Sequence, residues 1–118
     1  MIKFKILIPV YNDWDSLERL LNKIDAEVAN IEGKFSIIIV NDASTIETPS
    51  NFSNYNHIDS ISILNMKKNQ GPNKSNASGI RYLSQNPDFD YLILMDGDGE
   101  DRPEELKTLI KETLKEKN

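Results

Sequence analysis

The chain has 118 residues, which is enough for one hydrophobic core and not for two. It contains no cysteine and a single histidine, so disulfides, thiolate metal sites and a histidine-rich zinc site within the chain are excluded. The formal net charge of -5 argues against a nucleic-acid partner, because contact with a phosphate backbone requires a basic face.

The hydropathy pattern contains no candidate membrane span. No segment approaches the roughly 18 consecutive apolar residues that suggest a transmembrane helix. Met1 leads directly into a strand-like run, without the features of a secretory signal. We therefore expect a protein without a transmembrane segment, in a cytoplasmic location, with peripheral contact to a membrane left open.

Four segments have strand character. Residues 2–10 and 35–40 form apolar runs that are typical of buried strands, and the second, which is rich in β-branched residues, is expected to be central. Residues 60–63 alternate polar and apolar side chains, as an edge strand does. The run 91–95 is the fourth predicted strand. Its outer edge, which nothing in the chain pairs, predicts self-association or cover by a C-terminal half that is missing here.

Three helices are predicted between and after these strands. Asp15 has the features of an acidic N-cap, with Glu18 three residues on and an apolar repeat over residues 17–28. A second helix follows the turn at residues 69–72 and ends before Pro87; Gly79 within it indicates close packing on the sheet or loose order. The last helix begins near residues 101–104. Its predicted buried stripe consists of Leu106, Leu109, Ile110 and Leu114.

This alternation predicts an α/β fold, namely a Rossmann-like, three-layer domain with a mainly parallel sheet of about four strands and helices on both faces. In such sheets ligands bind at the carboxyl ends of the strands. Each predicted strand ends in a polar cluster, so the four clusters should meet at one edge. They occupy residues 9–12, 41–44, 69–71 and 96–98.

The acidic cluster after the fourth strand predicts a metal site. Asp96 and Asp98 lie two residues apart, so in an extended chain their carboxylates point the same way, and Glu100 offers a third oxygen ligand. Gly97 leaves room for a nearby phosphate. Mg²⁺ or Mn²⁺ completed by substrate phosphates is the arrangement that such a ligand set favours.

Other motifs and other roles for these residues are less compatible with the sequence. An EF-hand loop is excluded because Asp101 stands at its glycine position and Lys107 at its bidentate glutamate position. No Walker loop and no dinucleotide fingerprint is present. Asp101 fits a helix cap better than a ligand, and Asp42 or Gly71 taken alone would fit turn formers.

Four motifs in this order resemble the N-terminal half of family 2 glycosyltransferases of the GT-A fold: ILIPVYN at residues 6–12, VNDAST at 40–45, NQG at 69–71 and MDGD at 95–98. The stretch DGEDRPEE at 98–105 is most similar to polyprenyl-phosphate sugar synthases such as dolichyl-phosphate mannose synthase. The resemblance covers essentially the whole chain. It implies transfer of a sugar from a nucleotide-diphosphate donor to an acceptor, either a lipid phosphate or a glycan.

The resemblance also implies roles for single residues. Asp42 would bond the base, Asp96 would approach the ribose or the metal, and Asp98 would coordinate the metal on the diphosphate. Glu100 stands where the synthases have a metal-binding glutamine. The nucleotide-sugar pocket as a whole would be formed by Pro9, Tyr11, Asn12, Asp42, Gly71, Lys74, Asp96 and Gly97.

Two departures from the family pattern affect these expectations. Many members have Arg or Lys followed by Asn in the second helix, where this chain has Asn76 and Ala77, and Lys74 is the candidate to supply the missing charge. Members also continue well beyond residue 118, with the acceptor site and, in many, an acidic base. We therefore expect residues 1–118 to be one nucleotide-sugar-binding domain, truncated relative to a full glycosyltransferase, with no catalytic base identified. The alternative is a non-catalytic nucleotide-binding or interaction module of the same fold.

Overall fold

Among the residues that the computed structural model describes, 1–49, 52, 55–96 and 103–117, four parallel strands form one sheet. They are β1 (Lys3–Val10), β2 (Lys34–Asn41), β3 (Ser60–Asn65) and β4 (Tyr91–Leu94). Their order in the sheet is β3-β2-β1-β4, and every neighbouring pair is parallel. The prediction of a parallel sheet, with β2 central and β3 at an edge, is confirmed.

Three helices cover the two faces of this sheet, with α1 (Trp14–Val28) and α3 (Leu106–Lys117) on one face and α2 (Pro72–Ser84) on the other. A single 3-10 turn, Pro103–Glu105, precedes α3. The face under α1 and α3 carries the larger core, in which the stacked rings of Phe4 and Phe35 lie with their centroids 4.9 Å apart. The three-layer α/β architecture is therefore as predicted. None of these helices is long and apolar enough to cross a membrane, in so far as the chain is described.

Gly79 allows α2 to lie directly on the sheet. A Cβ added at this position would come within 2.5 Å of Leu7 Cδ1 and 3.0 Å of Val40 Cγ2. Leu7 and Val40 are fully buried on β1 and β2. Of the two explanations offered for this glycine, close packing on the sheet is the one that the structure confirms.

Leu109 does not belong to the buried stripe of α3, contrary to the prediction. Leu106 and Ile110 are buried, whereas 49% of Leu109 is exposed. The reason is that α3 lies beside β4, and β4 pairs only with β1 among the described strands. The sheet is too narrow to cover Leu109, which lines a shallow groove with Leu94 along the outer side of β4. Cover for that side of β4 by another strand or a second copy stays a prediction.

The N-cap of α1 is Asp13, not Asp15 as the capping-box pattern indicated. The Asp13 carboxylate accepts a hydrogen bond from the Ser16 backbone N–H at 3.2 Å, and Asp15 lies within the first turn. The helix begins earlier because Trp14 is itself part of the core, where it is 5% exposed and its indole N–H donates to the Ile46 carbonyl.

This assignment predicts different effects for two neighbouring aspartates. Asp13→Ala should lower the free energy of unfolding by about 1 kcal/mol, because an orphan helix N–H loses its acceptor. Asp15→Ala, which removes a first-turn charge without a capping bond, should cost about half of that or less. Urea unfolding of both variants measures the difference, and equal losses would contradict the assignment.

Candidate functional site

A cleft of about 310 Å³ opens at the carboxyl ends of the strands. Three of the four predicted polar clusters contribute side chains to it, and the fourth, at residues 69–71, directly precedes a lining residue. The expected convergence of the strand ends is thus observed. The described residues that line the cleft are Pro9, Val10, Tyr11, Asp13, Asp42, Pro72 and Asp96.

The end of β1 supplies one wall of the cleft. Pro9 and Val10 present apolar surface, and Tyr11, of which 47% is exposed, stands at the rim. Asp13 follows in the turn to α1, so that the cap of α1 also lies at the cleft. This wall can contact a flat organic group through its apolar part and carries one carboxylate at its border.

Asp42, at the end of β2, is the most enclosed carboxylate of the site. It is 3% exposed, and its two oxygens accept the backbone N–H groups of Gln70 and Gly71, each at 2.8 Å. The Asn69 side-chain amide donates to the Asp42 carbonyl at 3.3 Å. Asp42 therefore fixes the loop that leads into α2. Each carboxylate oxygen keeps a second lone pair, so contact with a base, as the resemblance implies, is compatible with these bonds.

Asn12 contacts a neighbouring loop and is not among the described residues that line the cleft. Its Oδ1 accepts the backbone N–H groups of Thr45 and Ile46 at 2.7 and 2.9 Å. Its Nδ2 donates to the Thr45 hydroxyl at 3.1 Å, and its own N–H donates to the Ser44 hydroxyl at 2.9 Å. Asn12, for which the resemblance implies contact with the nucleotide-sugar, thus joins the turn after β1 to the loop after β2.

The N-terminus of α2 faces the same edge of the sheet. Gly71 is the N-cap, with φ +88° and no side-chain capping bond, and Pro72 at the first helical position lines the cleft. Lys74, in the first turn, is exposed. Gly71 and Lys74 are thus close in sequence to the lining residue Pro72, but they are not themselves among the described lining residues. The positive end of the helix dipole lies at the cleft.

Of the predicted metal ligands, Asp96 lies within the described part of the chain. It lines the cleft two residues after the end of β4. Gly97, Asp98 and Glu100 lie outside the described residues. Where the chain is described, no group of three His, Cys, Asp or Glu side chains is close enough to hold a metal ion. The metal assignment of Asp98 and Glu100 therefore stays a prediction.

The donor set at the cleft consists of hard oxygen ligands. Asp13, Asp42 and Asp96 all contribute to its lining, and no Lys, Arg or His is among its described lining residues. A polyanionic ligand would meet repulsion here unless a cation accompanied it. Carboxylate oxygens are the ligand type that Mg²⁺ and Mn²⁺ prefer, so the chemistry of these residues fits such an ion, although the three described carboxylates do not form one coordinating group.

Three lining residues, Val10, Asp13 and Pro72, are absent from the predicted site. The capping-box pattern favours Asp15 over Asp13, although the position of Asp13 directly after Asn12 in the first polar cluster is a usable signal. Pro72 was predicted only as part of a turn. Proline is frequent at the first position of a helix, and a helix that starts at the carboxyl edge of a sheet brings that residue to the ligand site.

Comparison with known proteins gives a family. The model of glycosyl transferase family 2 matches residues 5–118. An undecaprenyl-phosphate 4-deoxy-4-formamido-L-arabinose transferase of Klebsiella pneumoniae is 27% identical over 113 residues, which cover 92% of this chain and 32% of that protein. The corresponding transferase of Proteus mirabilis is 31% identical, with 92% and 32% covered.

The solved structures add a likeness in fold. The crystal structure of residues 1–349 of TarS from S. aureus superposes with a TM-score of 0.67 at 20% identity, over 98% of this chain and 33% of that one.

An uncharacterised glycosyltransferase of Synechocystis is 31% identical over 92% of this chain and 33% of its own length. The chain thus spans about a third of the length of the curated relatives it matches.

Proposed function

Because the chain belongs to glycosyl transferase family 2, we propose that its cleft binds a nucleotide-diphosphate sugar together with Mg²⁺ or Mn²⁺. The observation that carries this proposal is the composition of the cleft, in which the apolar surface of Pro9, Val10 and Pro72 lies beside three carboxylates. A nucleotide has the matching parts, since its base is flat and largely apolar and its diphosphate requires a cation in acidic surroundings.

The positions of these groups support one orientation of the donor in the cleft, which is part of the proposal. The base lies against the wall formed by β1 and the N-terminus of α2, within reach of Asp42 and of the Tyr11 ring. The diphosphate lies toward Asp96, where the chain continues into the predicted ligands Asp98 and Glu100. Lys74, exposed in the first turn of α2, supplies a mobile positive charge near the same edge.

The chain's own residues contribute to transfer by binding and orientation. Asp96, Asp98 and Glu100 would hold the metal ion, which when bound supplies positive charge against the departing diphosphate. Asp42 keeps the loop before α2 in place, and the apolar wall excludes water from the base. No catalytic base is assigned. If the acceptor is a lipid phosphate, it is already an anionic nucleophile and requires none.

A lipid phosphate is the acceptor that we propose. The relatives in Klebsiella pneumoniae and Proteus mirabilis carry undecaprenyl phosphate in their names, at 27% and 31% identity. Such an acceptor is embedded in a bilayer, which places the reaction at the cytoplasmic surface of a membrane with the protein in peripheral contact. In this arrangement residues 1–118 form the donor-binding domain.

The metal requirement is tested by nucleotide titration. Calorimetry with UDP and GDP, each with and without Mn²⁺, should show binding that depends on the metal. Asp98→Ala should weaken metal-dependent binding at least tenfold, because a charged ligand at the diphosphate is lost. Asp59→Ala, which removes an exposed carboxylate just before β3, is the matched control and should bind as the parent does.

Two outcomes of this titration would contradict the proposal. Binding that is independent of metal and unchanged in Asp98→Ala would remove the metal role. The absence of binding to either nucleotide would remove the donor site itself. Sugar transfer or donor hydrolysis by the chain would in turn exclude the alternative of a non-catalytic module.

A further inference from the structure

We infer that Asn12 is a positioning residue, which sets the shape of the cleft by joining the end of β1 to the loop after β2, and that it does not itself contact the donor. The inference rests on the proposed function, since it concerns the same cleft. It assigns to Asn12 a role different from the pocket contact that the family resemblance implies. We call the hydrogen bonds that join Asn12 to residues 44–46 the clasp.

The acceptor oxygen of the Asn12 side chain is already engaged. Oδ1 accepts from two backbone N–H groups, those of Thr45 and Ile46, and is also 3.3 Å from the Thr45 hydroxyl. Nδ2 is 3.1 Å from that hydroxyl. A carbonyl oxygen has two lone pairs, so Oδ1 has no acceptor capacity left for a ligand, whereas Nδ2 keeps one N–H. Asn12 is also not among the described residues that line the cleft.

The clasp connects two segments that carry lining residues of the cleft. Asn12 stands between Tyr11 and Asp13, both of which line it. The loop that it holds follows Asp42, which lines it from the other side. Asp42 in turn binds the backbone of Gln70 and Gly71 before α2. The end of β1, the segment after β2 and the loop before α2 are therefore linked by hydrogen bonds.

The backbone has an unusual conformation at Asn12 and at Ala43, which precedes the loop that the clasp holds. Asn12 and Ala43 have φ values of +63° and +57°, in the left-handed region that non-glycine residues seldom adopt. Asparagine tolerates this region well, whereas alanine does not. Such strain persists where surrounding contacts determine the conformation. Here the Ser44 N–H donates to Asn41 Oδ1 at 3.1 Å and the Ser44 hydroxyl accepts from the Asn12 N–H, so the residue next to Ala43 is fixed on two sides.

Two substitutions separate positioning from direct contact. Asn12→Gly permits the left-handed backbone but removes the side-chain bonds of the clasp. Asn12→Asp also tolerates this backbone and keeps oxygen acceptors for both backbone N–H groups, while adding a negative charge. If Asn12 positions the loop, Asn12→Asp should keep the slow amide exchange and the nucleotide affinity that Asn12→Gly loses. If Asn12 contacts the donor diphosphate, the added charge should make Asn12→Asp the worse variant.

The experiment combines nucleotide titration with amide hydrogen exchange measured by NMR. In Asn12→Gly, the exchange of the Thr45 and Ile46 amides should accelerate at least tenfold, and UDP or GDP should bind at least tenfold more weakly in the presence of Mn²⁺. In Asn12→Asp, exchange should stay within about threefold of the parent protein and binding should be tighter than in Asn12→Gly. Asn30→Gly, at an exposed site just after α1, is the matched control for introducing a glycine.

Each outcome decides the inference. Unchanged exchange of the Thr45 and Ile46 amides in Asn12→Gly would overturn it, as would accelerated exchange with unaltered nucleotide affinity, or weaker binding in Asn12→Asp than in Asn12→Gly. If the parent protein binds neither nucleotide, the proposed function fails, and the exchange rates alone then support or overturn the clasp. Thermal unfolding of all variants separates a local change from loss of the fold.

Discussion

Replacing Asp42 with asparagine is expected to lower the free energy of unfolding by about 2 kcal/mol and to weaken nucleotide binding. The carboxylate is 3% exposed and both of its oxygens accept a backbone N–H at 2.8 Å. Asparagine offers only one oxygen, and its amide N–H₂ would face the second backbone donor. A buried donor without an acceptor costs about 1–3 kcal/mol. Because the two donors are Gln70 and Gly71, the displacement should reach the N-terminus of α2.

Chemical denaturation and nucleotide titration of Asp42→Asn measure the two parts of this prediction. Asp59→Asn makes the same change at an exposed position and should alter neither quantity measurably. A variant with normal stability and lost affinity would show that Asp42 serves only the ligand. Normal affinity with lost stability would show that it serves only the loop. Either result would contradict the combined role.

The second large effect is expected where α2 meets the sheet. Leu7→Ala should lower the free energy of unfolding by about 3 kcal/mol, since Leu7 lies on β1 and is fully buried against α2. Gly79→Ala gains about 1 kcal/mol of helix propensity. Its new methyl group, however, would come within 2.5 Å of Leu7 Cδ1, and overpacking typically costs about 1–3 kcal/mol. We expect the single Gly79→Ala change to be destabilising by about 1 kcal/mol.

The double variant is the decisive measurement. With Leu7 shortened to alanine, the methyl group introduced by Gly79→Ala has room and fills part of the cavity. The loss should therefore be smaller than the sum of the two single losses by at least about 0.5 kcal/mol. Gly71→Ala is a useful contrast, because a Cβ there meets no atom within 4 Å but φ is +88°. Its cost is conformational and should add to that of Leu7→Ala. Additive behaviour at Gly79 would contradict the packing argument.

The sheet and the location of the site were predictable because they follow from local patterns. Continuous apolar runs such as residues 35–40 indicate buried parallel strands, and parallel strands bring their carboxyl ends to one edge. The identity of the polar residues after each strand then indicates what meets there. This reasoning located Tyr11, Asp42 and Asp96 at the cleft, where the structure places them.

What the sequence did not predict depends on contacts between distant residues. The bonds of Asn12 reach residues 32 to 34 positions away, and no spacing rule connects them. The exposure of Leu109 follows from the width of the sheet, not from the helical repeat of α3. The helix begins at Trp14, with Asp13 as its cap, because Trp14 is buried. The amphipathic pattern of residues 17–28 does not extend to Trp14 and so does not predict this start. The two wrong predictions, the cap of α1 and the burial of Leu109, therefore concern a helix boundary and a sheet edge.

The position of β1 between β2 and β4 has a consequence for how this domain forms during synthesis. β1 is translated before the other described strands, yet one of its two neighbours, β4, is the last of them to be made, since Phe4 pairs with Tyr91. Until residue 94 has been made, β1 is an edge strand whose backbone groups are unpaired on one side. Contacts of such long sequence separation form slowly, and exposed strand edges favour aggregation. In the nascent chain the edge of β1 that later pairs with β4 should therefore stay open to mispairing until β4 has been made.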